Sequence, residues 1–125
     1  MANREVQVRQ GNLTDIYVDA ITQTRDGEFG TVSVIIEVKG CWHPEVSTAM
    51  KTQLIDQYLS ASSCSHGIYV VGWFLCPQWD DEDCRKKRVT YSSINDMRDH
   101  LEAQASELSS KGISVRAVIL DVTLS

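Results

Sequence analysis

The chain has 125 residues, a formal net charge of −5 at pH 7, and a composition that is 42% hydrophobic and 23% charged. At about 150 residues per domain, this length predicts a single domain covering residues 1–125. The composition excludes disordered, collagen-like and coiled-coil proteins.

Membrane and export signals are not indicated by the sequence. The longest apolar run, residues 68–75, is strand-length and is interrupted by Gly72, whereas a membrane-spanning helix needs roughly 18 or more apolar residues. The first five residues are polar and contain no apolar signal core. We therefore expect no membrane partner and a cytoplasmic location.

The first 40 residues predict three antiparallel strands. Polar and apolar side chains alternate over residues 5–10 and again over residues 14–23, as they do in half-buried strands. A turn is predicted at residues 11–12, and the Asp-Gly dipeptide within residues 25–30 is a hairpin signal. The strongest strand pattern follows at residues 31–39, where one face carries Val32, Val34, Ile36 and Val38.

The remaining residues predict alternating helices and strands. The predicted elements are a helix from residues 43–45 to about residues 60–63, a strand over residues 67–75, a helix over residues 93–111 and a strand over residues 113–120. The first of these strands is continuously apolar, which is typical of burial on both faces. Ser93 with Asp96 resembles a capping box, and Gly112 is placed to end the second helix. The order βββαβαβ indicates an α/β fold with a mixed sheet.

A charged segment lies between that strand and the second helix. Residues 80–83 are acidic, and residues 85–88 are basic. A solvated loop with internal ion pairs is the favoured interpretation, and a phosphate contact made by the basic half is the alternative.

The cysteines are candidate ligands for a zinc site. The four cysteines are Cys41, Cys64, Cys76 and Cys84. In a cytoplasmic protein they are expected to stay reduced, and cysteines are commonly buried. A zinc-dependent module remains an alternative because His43 and His66 each lie two residues after a cysteine, although no CxxC pair occurs.

Two strands are predicted to bring acidic and basic side chains together. Glu37 and Lys39 are two residues apart near the end of the third strand, so they share one face. The hairpin places Asp15, near the start of the second strand, beside Glu37. Two carboxylates with a backbone carbonyl suit Mg²⁺, and a bound metal activates water and polarises a phosphoryl oxygen. This set of groups indicates hydrolysis of a phosphodiester.

Two short stretches carry a family resemblance. The stretch GNLTDI at residues 11–16, followed after a hairpin by IIEVKG at residues 35–40, resembles the PD-(D/E)XK nuclease superfamily. This superfamily includes restriction endonucleases and the Mrr-like and RecB-like nuclease domains. The resemblance covers roughly residues 6–75 and implies a restriction-endonuclease-like mixed sheet flanked by helices.

The resemblance also implies roles for particular residues. Asp15 and Glu37 would be ligands of Mg²⁺ or Mn²⁺, assisted by the Val38 carbonyl, and Lys39 would be the catalytic lysine. Gln53 on the following helix would be a further catalytic residue. It lies five residues before Tyr58, whereas the RecB-like pattern separates glutamine and tyrosine by four.

The sequence departs from this family in two respects. The family core usually begins with a helix, whereas this chain begins almost directly with a strand. Either the chain is part of a longer protein, or the helix over residues 93–111 covers the sheet face that the family's first helix would cover. The acidic balance also predicts weak DNA binding by the isolated domain. The contacts with DNA would come from Lys39, Lys51, residues 85–88, a partner domain or a second subunit.

The leading hypothesis is a Mg²⁺-dependent nuclease that hydrolyses phosphodiester bonds in DNA. The alternative is a catalytically inactive nuclease-like domain with an interaction or regulatory role in a larger protein. Expected partners are therefore DNA, the remaining domains of a longer parent, and a second copy of the chain in a homodimer.

Overall fold

The fold is a five-stranded mixed sheet with helices. A computed structural model describes residues 5–10, 15–60, 64–110 and 112–124, with side chains from Ile16 onward. In chain order the elements are β1 (Glu5–Gln10), β2 (Asp15–Gln23), β3 (Phe29–Gly40), a π-helix (Met50–Leu59), β4 (His66–Trp73), a short 3₁₀ helix (Lys86–Arg88), α1 (Ile94–Leu108) and β5 (Ser114–Asp121). The prediction of a mixed α/β fold is confirmed.

The sheet has a simple topology. Its strand order is β1-β2-β3-β4-β5; β1, β2 and β3 pair antiparallel, and β3, β4 and β5 pair parallel. The hairpin between β2 and β3 turns at Gly27, whose φ of 81° is a conformation that glycine adopts without strain. The turn predicted at residues 11–12 lies outside the described residues.

Both long helices lie on the same side of the sheet. The buried core unites π-helix and α1 side chains with alternate residues of β3, β4 and β5: Ile35, Met50, Leu54, Tyr69, Val71, Met97, Leu101 and Val115. Crossovers between parallel strands are almost always right-handed, and the strand order runs in one direction from β3 to β5. Two right-handed crossovers in one direction place both helices on one face, which we call the helix-covered face.

The opposite side of the sheet, which we call the open face, differs from two expectations drawn from the sequence. It carries Ile16, Val18, Ala20, Val32, Val34, Ile36, Val38, Ile68, Val70, Arg116, Val118 and Leu120. Val32 and Leu120 are 46% and 48% exposed, so α1 does not cover this face. Strand β4 is fully buried only on its helix-covered side, where Tyr69 and Val71 lie; Ile68 and Val70 on the open face are half-buried. The prediction that β4 is buried on both faces was therefore wrong.

The two helices begin and end at different residues from those predicted. Residues 44–48 form turns, Ala49 is the N-cap, and the helix begins only at Met50. The N–H of Ser60 donates to the carbonyl of Ile55 five residues earlier. At α1 the predicted cap is confirmed, because Ser93 Oγ accepts a hydrogen bond from the Asp96 N–H at 3.1 Å. The helix ends at Leu108, and Gly112 lies further on, at a φ of 89°.

None of the helices in the described residues is long and apolar enough to span a membrane.

Candidate active site at the carboxyl end of β3

The predicted acidic residues meet in the strand register. Asp15 is the first residue of β2 and pairs directly with Glu37 of β3. Directly opposed residues in an antiparallel pair have Cα atoms about 4.5–5.5 Å apart. On its other side Glu37 pairs with Tyr69 of β4. The register thus forms one row across three strands, although the side chain of Asp15 lies outside the described ones.

Glu37 and Lys39 form a buried ion pair. Lys39 Nζ lies 3.2 Å from Glu37 Oε1, and the two residues are 8% and 0% exposed. They occupy the helix-covered face because they alternate with the open-face residues Ile36 and Val38. An exposed pair on a solvated sheet face would contribute little, but this pair is enclosed. Buried charges are costly to desolvate and mark candidate functional sites.

Tyr69 is a component of the site that the sequence analysis missed. Its hydroxyl donates a 2.8 Å hydrogen bond to the carbonyl of Val46, and its side chain is fully buried. Burial raises the pKa of Tyr69 well above its usual value, and the negative charge of Glu37 raises it further. The alternation within β4 predicts which residues share a face with Tyr69. Only the strand order shows that β4 lies next to β3, so that Tyr69 lies beside Glu37.

A polar cluster follows β3 and includes Gln53. The side-chain amide of Gln53 donates to the carboxylate of Glu45, and the backbone N–H of Glu45 donates to His43 Nδ1 at 3.0 Å. Partial burial lowers the pKa of His43, and the positive charge of Lys39 lowers it further. The structure therefore places Gln53 against Glu45, in a cluster next to Lys39. Glu45 was missed because the sequence assigned it only to a helical first turn.

The cysteines do not assemble a metal site in the described part of the chain. No group of three His, Cys, Asp or Glu side chains suited to a metal occurs there. Cys41 is buried, and burial raises the pKa of its thiol. The Cys64 thiol donates to the carbonyls of Ser33 and His66 at 3.1 and 3.3 Å. All four cysteines are free, but only Cys41 is fully buried.

The charged segment forms internal ion pairs, as the favoured interpretation predicted. Arg85 pairs with Asp83 at 2.7 Å, and Lys86 pairs with Asp81 at 2.5 Å. Hydrogen bonds from Arg85, and a further one from Trp79, hold the pKa of Asp83 well below its usual value. These two cations are thus already neutralised by neighbouring carboxylates. Lys87 and Arg88 are exposed.

An aromatic cluster, formed by Trp42, Phe74 and Trp79, lies beyond the ends of β3 and β4. The ring centroids of Trp42 and Phe74 are 5.0 Å apart, and Trp79 lies 6.1 and 6.2 Å from them. A methyl group added to Gly40 would overlap the Trp42 ring, and one added to Gly72 would meet Phe74. Since Gly40 and Gly72 are register partners in line with the open face, the cluster closes the carboxyl end of that face.

Comparisons with protein-family models, with curated proteins and with solved structures find no match to this chain.

Proposed function

We propose that this chain is a Mg²⁺-dependent nuclease domain of the PD-(D/E)XK type that hydrolyses phosphodiester bonds in DNA. The observation that carries the proposal is the buried Glu37–Lys39 ion pair at the end of β3, with Asp15 directly opposite Glu37. Hydrolysis of a phosphodiester in this family needs two acidic residues on neighbouring strands and a lysine two residues after one of them. The restriction-endonuclease-like fold and the cytoplasmic location are parts of the same proposal.

The donor set fits a hard divalent cation. Asp15 and Glu37 are register partners that offer carboxylate oxygens, and the Val38 carbonyl is the adjacent backbone oxygen. Oxygen donors of this kind hold Mg²⁺ or Mn²⁺. When bound, the cation lowers the pKa of a coordinated water and polarises the scissile phosphoryl group.

The chain's own residues orient the reacting groups and stabilise the charge that develops on them. Lys39 holds its ammonium against Glu37, where it can donate hydrogen bonds to an attacking water or to a phosphate oxygen. In a water-poor site such charge stabilisation is stronger than in solvent. Tyr69 fixes the Val46 backbone on the π-helix side of the site. Gln53 acts through Glu45, and we assign it a positioning role.

Few basic groups remain for holding DNA. Lys51 is paired with Asp56 at 2.9 Å, in addition to the pairing of Arg85 and Lys86. In the described residues, Arg25, Lys87, Arg88 and Arg116 are exposed cations without an ion pair. Because affinity for the phosphate backbone rises with the number of neutralised phosphates, the domain binds DNA weakly, and the remaining domains of a longer parent would supply further contacts.

Cleavage of supercoiled plasmid in Mg²⁺ or Mn²⁺, with EDTA as the blank, tests the proposal. Glu37→Gln and Lys39→Met should each reduce the rate by about 10²-fold or more, the cost typical of removing a charge-stabilising group. Glu102→Gln, at an exposed position, is the matched control and should cleave like the parent chain. Circular dichroism confirms that each variant is folded. Equal cleavage by all four proteins would assign the activity to another site or to a contaminant.

One observation favours the second candidate, a catalytically inactive nuclease-like interaction or regulatory domain. Glu37 has no exposed surface, so its carboxylate is enclosed by protein. Calorimetric titration with Mn²⁺ separates the two candidates. Binding that is lost in Glu37→Gln supports the nuclease, whereas a folded chain that neither binds Mn²⁺ nor cleaves DNA supports the inactive domain.

A further inference from the structure

The open face of the sheet is an extended apolar surface. It runs across β2 to β5, and most of its side chains are aliphatic: Ile16, Val18, Ala20, Val32, Val34, Ile36, Val38, Ile68, Val70, Val118 and Leu120. The polar residues Thr22, His66 and Ser114 lie at the amino end of the face, and Arg116 is its only formal charge among the described side chains. None of the aliphatic residues belongs to the buried core or packs against it.

The area of this face is large enough for a stable interface. Strands about 4.8 Å apart that rise about 3.3 Å per residue give the four strands β2–β5 a projected area of about 590 Å². This lies at the upper end of the roughly 300–600 Å² found for the largest apolar patch of a typical monomer. Two such faces in contact bury about 1,200 Å², above the roughly 1,000 Å² expected of a specific interface.

We infer that the occupant of the open face is a second copy of this chain, stacked sheet against sheet. A two-fold axis makes one surface self-complementary, and flat sheets of aliphatic side chains pack face to face about 10 Å apart. A single helix, about 10 Å wide, would cover only about two of these four strands. An identical sheet covers all of them in one layer.

The ends of the face indicate how the two copies are oriented. The aromatic cluster (Trp42, Phe74 and Trp79) rises at the carboxyl end of the face, and Arg116 lies near the amino end of β5. When the strands of the two copies run antiparallel, each aromatic cluster lies beyond the amino end of the other sheet. Arg116 of one copy then lies toward the aromatic rings of the other, whose faces attract a guanidinium. This inference does not depend on the nuclease proposal.

Sedimentation equilibrium of the chain from about 1 to about 200 µM tests the inference, because self-association depends on concentration. The expected mass at high concentration is twice 14.0 kDa. Val38→Lys and Val118→Lys should each weaken the dimer at least about tenfold, as loss of a central interface contact does. Both positions are already 41% and 39% exposed in the monomer, so a lysine can reach water there without unfolding the chain. Ala103→Lys, on an exposed site of α1, is the matched control and should dimerise normally.

Two results would overturn the inference. One is a mass of 14.0 kDa for the parent chain at the highest concentration, which would leave the face to a different partner. The other is dimerisation of folded Val38→Lys and Val118→Lys at parental strength. Should either lysine variant lose its circular dichroism signal, the nearly isosteric Val118→Thr replaces it and should weaken the dimer without unfolding the monomer.

Discussion

Lys39 and Glu37 lie two residues apart on one face of β3, with Nζ and Oε1 separated by 3.2 Å and both residues almost completely buried. Burial of this pair is the property that separates it from the exposed Lys51–Asp56 pair at 2.9 Å. Breaking a buried pair leaves one uncompensated charge in the protein interior. An exposed pair loses almost nothing when one partner is removed.

Lys39→Met should therefore destabilise the chain by about 3–5 kcal/mol, whereas Lys51→Met should cost less than about 1 kcal/mol. The double variant Glu37→Met with Lys39→Met should recover most of that loss, because two apolar side chains of similar size need no charge compensation. Urea denaturation of the parent chain, of the three single variants Lys39→Met, Glu37→Met and Lys51→Met, and of the double variant measures these free energies of unfolding. Strictly additive effects of the two methionines at positions 37 and 39 would contradict the prediction.

Tyr69→Phe should lower the free energy of unfolding by about 1–2 kcal/mol at neutral pH, because the buried Val46 carbonyl loses its donor. The pKa of Tyr69 in the folded chain is raised by burial and by Glu37. A raised pKa stabilises the fold fully below the unfolded value of about 10, and this contribution is lost as the pH rises toward the folded value.

The stability difference between the parent chain and Tyr69→Phe should consequently narrow between about pH 9 and about pH 11. Urea denaturation across this range gives the difference directly. A stability difference that stays constant with pH would show that the pKa of Tyr69 is not raised in the folded chain.

The two thiols Cys76 and Cys41 should react at very different rates. Backbone hydrogen bonds, that of Leu124 first, and the nearby charge of Lys86 lower the pKa of Cys76, whereas burial raises that of Cys41. Since the thiolate is the nucleophile, Cys76 should be alkylated by iodoacetamide at least about tenfold faster at neutral pH. Peptide mass spectrometry over time measures both rates. Comparable rates in the folded protein would contradict the assignment.

Gly112→Ala should destabilise the chain by about 1 kcal/mol, because φ at this position is 89° and a β-carbon is strained there. No atom lies within 4 Å of the added carbon, so the loss reflects backbone strain and not a clash. Gly112→Asn should cost less, since asparagine tolerates positive φ better. Thermal unfolding compares the two variants, and a loss for Gly112→Asn as large as that for Gly112→Ala would contradict the prediction.

Local features of the fold were predictable from the sequence because they depend on neighbouring residues. Alternation located β1, β2 and β3, the Asp-Gly dipeptide located the hairpin, and together they gave the Asp15–Glu37 pairing. The Ser93 cap is likewise a local interaction.

The direction in which each face points could not be predicted in this way. Val32 and Val38 lie on the more apolar side of β3 and yet are exposed, while Glu37 and Lys39 are enclosed. Which side becomes covered depends on the strand order and the handedness of the crossovers, and neither is encoded in the alternation of a single strand. For the same reason, the position of Tyr69 beside Glu37 became visible only in the assembled sheet.

The absence of a side chain at Gly40 lets the Trp42 indole rest directly on the backbone immediately after Lys39. Trp42 also packs against Phe74 and under the guanidinium of Arg85, 5.2 Å from its ring. Trp42 is therefore a fluorophore that lies between the buried Glu37–Lys39 pair and the open face. Its emission offers a label-free optical signal for events on either side of β3.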